Sequence, residues 1–74
     1  MASLENYKIA LGEKIRRCRI ASGMSLRSFG LMTGVHYNQL LAIEKGKANP
    51  SLETLHKISS GLDMELFQLL DCLE

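Results

Sequence analysis

The stretch LRSFGLMTGVHYNQLLAIEK, residues 26–45, decides how this chain folds. Ser25 stands immediately before it, and a serine there is a natural N-cap, its hydroxyl able to accept from the free amides of a short helix from Leu26 to about Met32. Thr33, Gly34 and Val35 then make a tight connection. Gly34 suits the turn because it can take a left-handed conformation without a Cβ clash. A second short helix follows, from about His36 or Tyr37 to Lys45, and Gly46 ends it. The spacing lets Phe29 and Val35 pack with Leu40 and Ile43 in the angle between the two helices. Gly30 leaves no side chain where the pair is expected to cross most closely. Tyr37, Asn38 and Gln39 then lie near the start of the second helix, free to face outward.

Working outward, Leu4, Tyr7, Leu11, Ile15 and Cys18 recur at spacings of three and four. They mark one face of a helix from about Ser3 or Leu4 to Ser22, stopped by Gly23. Downstream, Gly46 to Pro50 reads as loop, and Ser51 is placed to cap a helix running to about Ser60. Its core stripe is expected to be Leu52, Leu55, Ile58 and, past the glycine, Leu62. Asp63 is expected to cap a final helix to about Leu73. The fold class that follows is all-α, five helices in one domain over residues 1–74. Composition agrees, since 46% hydrophobic residues with only 5% aromatics, one Pro and no Trp suit a Leu, Ile and Met core better than a β-sandwich.

Several functional classes fall away at this level. Cys18 and Cys72 have no CxxC or Cys/His cluster around them, so they read as two reduced thiols, and His36 and His56 lack paired ligand spacing; no metal or other cofactor is expected. No nucleophile–base set, carboxylate pair or phosphate loop can be assembled, which argues against an enzyme. Residues 1–10 contain Glu5, Asn6 and Lys8 and do not read as a signal peptide, and no stretch approaches the ~20 apolar residues of a membrane span. A soluble, cytoplasmic protein is the expectation. The net charge of +1 is modest. Its distribution is not: residues 1–37 hold Lys8, Lys14, Arg16, Arg17, Arg19 and Arg27 against Glu5 and Glu13, while the remainder is acidic. One face suited to a polyanion is the reading.

At this point the chain resembles the Cro and phage-repressor family of helix-turn-helix domains, the xenobiotic-response-element type. The resemblance runs from Leu11 to about Leu70 and is carried by Leu11-Gly12-x-x-Ile15-Arg16-x-Cys18-Arg19, Gly23-Met24-Ser25, Phe29-Gly30, Thr33-Gly34-Val35, Leu40, Ile43-Glu44-x-Gly46, Asn49-Pro50-Ser51, Leu55, Ile58 and Leu62. It implies a lambda-repressor-like fold whose third helix enters the major groove of double-stranded DNA, as in a phage-type repressor or a restriction-modification controller. Tyr37, Asn38, Leu41 and Ala42 then stand at base-facing positions. Asn38 can pair with adenine, Gln39 is a further adenine-capable side chain, and Ala42 can touch a thymine methyl. Arg27, Lys45, Lys47 and His36 are candidate phosphate contacts, with Lys14, Arg16 and Arg17 weaker ones. The resemblance assigns Arg19 and Glu44 to a bracing ion pair. Leu26 departs from the family, which often has a phosphate-clasping glutamine there, and Leu41 is unusually apolar for a reading helix.

The last segment carries more apolar side chains than one side of a short helix can hide. A homodimer through Leu66, Leu69, Leu70 and Leu73 is the economical expectation, setting two reading helices about 34 Å apart over a palindromic operator. No small-molecule effector is indicated. The other reading is a helix-turn-helix scaffold used for protein–protein interaction without DNA reading, which Leu26, Leu41 and the low net charge favour.

Overall fold

Helix starts in this chain are set by side-chain acceptors placed just ahead of each apolar run. The computed structural model describes residues 3–71 and contains α1 (Leu4–Ala21), α2 (Leu26–Thr33), α3 (Tyr37–Glu44), α4 (Leu52–Gly61) and α5 (Leu66–Leu70). The Oγ of Ser3 accepts from the Asn6 amide, that of Ser25 from the Ser28 amide at 3.0 Å, and that of Ser51 from the Thr54 amide at 3.1 Å. Each such cap contributes about 1 kcal/mol by satisfying an amide the helix cannot.

The final helix departs from the sequence expectation. Asp63 is not its cap: it sits in a left-handed turn at φ 56°, and the chain runs on through Met64, whose amide donates to the Ser59 carbonyl. The cap is Glu65, in a reciprocal box in which the Gln68 side chain accepts from the Glu65 amide at 2.9 Å. A Glu/Gln box two residues after an aspartate is a weaker signal than the aspartate itself, and the tertiary turn decides between them. Residues 72–74 lie outside the described residues, so an end near Leu73 falls there too.

Leu11 and Ile15 of α1, Phe29 of α2, Val35, Leu40 and Ile43 around α3, Leu55 and Ile58 of α4, Leu62 and Leu69 form one buried cluster. Leu4 and Leu52, expected in the core stripes, are instead exposed. Both are the first residues of their helices, where a side chain leans back over a turn that does not exist and so overshoots the packed body. α3 is held between α1 and α2, α4 backs α2, and α5 bridges α1 and α4.

The main chains of α1 and α3 approach closely at Gly12, more so than the turn does at Gly30. A Cβ on Gly12 would overlap the carbonyl oxygens of Ile43 and Glu44, main-chain atoms that cannot swing aside. A Cβ on Gly30 would press at 3.2 Å on the Val35 carbonyl, against the turn more than against α3 itself. Gly34 closes α2 at φ 75°, its amide donating to the Gly30 carbonyl at 2.9 Å.

Gly12→Ala is expected to destabilise the fold by about 1–3 kcal/mol, the range for forcing extra volume into a packed core. Urea denaturation reads this as a lower midpoint at unchanged slope; an unchanged midpoint would contradict the α1–α3 contact described above.

Candidate nucleic-acid interface

The position of α3 is fixed from its C-terminal end by a buried charge pair. Arg19 Nε donates to Glu44 Oε2 at 2.8 Å and Nη2 donates to Oε1 at 3.1 Å, while Nη1 donates to the Met24 carbonyl at 2.8 Å. Both residues are buried. One guanidinium thus ties the end of α1, the loop after it and the end of α3, in the bidentate geometry that planar Arg and carboxylate groups share.

The turn ahead of α3 is fixed by a buried hydroxyl. Thr33 Oγ1 donates to the Phe29 carbonyl at 2.8 Å and accepts from the Val35 amide at 3.2 Å, so both sides of the hydroxyl are used. His36 then caps α3, its Nδ1 accepting from the Asn38 amide at 3.2 Å. An accepting Nδ1 puts the proton of the neutral ring on Nε2, leaving an outward N–H donor.

Between these anchors the first turn of α3 is open to solvent. Tyr37 is 41% exposed, and Asn38 and Gln39 are exposed beside it. Leu41 and Ala42 are half-buried, so much of the apolar surface of Leu41 is already covered by the fold. Leu26 is likewise half-buried and packs on the core, so its departure from glutamine serves packing. Arg27, Lys45 and Lys47 are exposed, and the first turns of α2 and α3 contain no acidic residue. Helix N-termini are positive ends, so the first turns of α2 and α3 add two such ends beside Arg27, which lies against Tyr37. Arg16 and Arg17 are exposed on α1 and Lys14 is half-buried there.

Three features were not read from the sequence. Leu31 is 85% exposed on α2, with Met32 exposed beside it. The Arg27 guanidinium lies over the Tyr37 ring, 5.7 Å from its centroid. An open concavity of about 490 Å³ separates α2 from α3 there, with Leu31 and His36 among its walls.

At the other end of the molecule Leu69 is completely buried, which removes it as a contact for a second subunit. It is the fully buried position of a five-residue helix bridging α1 and α4, with Leu66 and Leu70 packed partly against the same core. Leu66 and Leu70 are half-buried, Phe67 is 72% exposed, and Leu73 lies outside the described residues. Among the described residues no three His, Cys, Asp or Glu side chains gather to hold a metal ion, and no helix is long and apolar enough to cross a membrane.

A helix-turn-helix family model, HTH_3, matches residues 15–69. Control protein C.BamHI of Bacillus amyloliquefaciens is 33% identical over 67 residues, covering 89% of this chain and 83% of that protein. The HTH-type transcriptional regulator SinR of Bacillus subtilis strain 168 is 36% identical over 62 residues, where the chain spans 56% of the relative's length. Among solved structures, the restriction-modification controller protein C.AhdI from Aeromonas hydrophila superposes with a TM-score of 0.82 at 27% identity, covering 84% of this chain and 94% of that one.

Glu44→Gln leaves a buried guanidinium without its counter-charge and is expected to cost about 3–5 kcal/mol in urea denaturation. Pairing Arg19→Met with Glu44→Leu should recover most of that loss, since apolar residues of similar volume often replace a buried pair without penalty. Independent, additive losses from Arg19→Met and Glu44→Leu would show that the two side chains do not act together.

Proposed function

The chain belongs to the helix-turn-helix family HTH_3, and from that membership we propose that it is a sequence-specific, double-stranded-DNA-binding transcriptional regulator of the controller type. The observation that carries this reading is α3 itself, anchored at both ends by buried or capped groups and presenting Tyr37, Asn38 and Gln39 on a turn flanked by cations. A helix so held enters the major groove with its amide side chains against base edges. Asn38 or Gln39 pairs with adenine N6 and N7. Tyr37 meets a base edge or phosphate through its hydroxyl, and Ala42 and Leu41 meet thymine methyls from the flank. Lys45, Lys47 and the Nε2–H of His36 hold phosphates, with Arg27 a further cation on that face.

Two copies acting together would place two such helices on successive turns of a palindromic operator. Phe67, with Leu66 and Leu70 beside it, supplies the apolar surface for that homodimer, while Leu69 supports it from within. On this reading the chain performs no catalytic step, needs no cofactor or effector and works in the cytoplasm on DNA. The exposed Leu31 and Met32 favour the second reading, a scaffold that docks on another protein.

In vitro selection of bound duplexes is expected to return a palindrome. Against the selected site, Asn38→Ala should lose about 1–3 kcal/mol and relax the preference at its own base pair. Lys47→Ala should weaken binding to all sequences and reduce the slope of log K against log salt by about one. No salt-sensitive retention on duplex DNA at low ionic strength would favour the protein-docking reading. Sedimentation of Phe67→Asp should show monomer at concentrations where the parent chain is dimeric; a parent that stays monomeric at high micromolar concentration removes the homodimer.

A further inference from the structure

We infer that Arg27 is a positioning residue for Tyr37, so that base preference at the start of α3 is set by a side chain on α2 that reads no base. The inference rests on the DNA-reading role proposed for α3 and adds to it a determinant outside that helix.

The argument starts from where the two side chains begin. Tyr37 is the first residue of α3, and a side chain on a helix leans toward the helix N-terminus, here back across the turn toward α2. Arg27 is the second residue of α2 and lies on the same solvent-facing side. Gly30 and Gly34 line the space between them without side chains, which keeps the concavity open and lets the guanidinium reach the ring. The 5.7 Å separation from guanidinium carbon to ring centroid lies inside the roughly 6 Å range of a cation–π contact. Among the described residues Arg27 has no carboxylate partner that would draw it away from the ring. The Tyr37 hydroxyl likewise has no partner among the described residues and is left available to a base or phosphate acceptor.

A tyrosine at the first position of a helix, 41% exposed, would otherwise sample its rotamers freely in solution. Holding its ring before DNA arrives lowers the ordering cost of the contact it makes, and only contacts made by Tyr37 gain from this. A charge that merely held phosphate would act on every sequence alike. Lysine keeps the charge but lacks the flat face that stacks on a ring, so Arg27→Lys separates the two roles.

The test uses the whole chain and its selected duplex, with competition titrations against duplexes altered one base pair at a time. Arg27→Lys is expected to keep the parent salt dependence while losing about 2- to 5-fold of the discrimination at the base pair next to Tyr37, the size of an exposed cation–π contact. Tyr37→Leu should abolish that discrimination, and adding Arg27→Lys to it should change nothing further. Tyr37→Phe keeps the ring but removes the hydroxyl that meets the base, so it should lose the same discrimination and become insensitive to Arg27→Lys. Both sites are exposed, so circular dichroism should show parent helicity throughout. Parent-like discrimination in Arg27→Lys, or effects of Arg27→Lys and Tyr37→Leu that simply add, would overturn the inference while leaving DNA reading intact. A parent chain with no salt-sensitive duplex binding would overturn the DNA reading itself and this inference with it.

Discussion

Arg19 and Glu44 are taken out of water together, and the placement of α3 depends on that pair. Removing two charges from solvent costs several kcal/mol for each, a cost their mutual attraction offsets only when the geometry is good and the remaining donors are satisfied. Here both carboxylate oxygens and three guanidinium nitrogens are used, the third on the Met24 carbonyl. Such a pair gives orientation more than stability. A purely apolar contact at the end of α3 would tolerate sliding by a fraction of a turn, whereas two hydrogen bonds to one carboxylate and a third to the Met24 carbonyl do not. The Gly12 backbone against the Ile43 and Glu44 carbonyls makes the same joint close-fitting, because no side chain stands between the two main chains.

The rest of the fold serves this joint with little material. Two helices of eight residues are too short to persist alone in water. Their stability comes from caps at each start, from Thr33 closing the turn between them, and from Phe29, Leu40 and Ile43 sharing one core with α1 and α4. The consequence is a division of surface. What is small and inward belongs to the scaffold, and the polar first turn of α3 is left outside it.

Much of this was legible from the residues. Ser25 before an apolar run, Gly34 in a three-residue turn and the Phe29, Val35, Leu40 and Ile43 spacing are local signals, and local signals place helix starts and turns well. The reading failed where the deciding partner was distant in sequence. Leu4 and Leu52 look like core by period, yet lie beyond the body they point toward. Asp63 looks like a cap, yet the turn from Ser59 to Met64 uses it as a left-handed hinge and passes the cap to Glu65. Leu69 looks like surplus apolar surface until α1 and α4 close around it, and the surplus falls instead on Phe67.

The sequence by itself determined the fold class, the helix-turn-helix unit and which face of α3 stays outside, because periodicity, caps and glycine turns are written in residues three or four apart. Only the tertiary structure decided how that face is built. Arg27 and Tyr37 are ten positions apart on different helices, with ordinary surface residue types, and nothing in either marks the other. Their meeting depends on the angle of α3 to α2, which is set by Thr33 in the turn and by a charge pair reaching back twenty-five positions to α1. A pattern along the chain records what each helix is; the angle between helices arises only when the core closes.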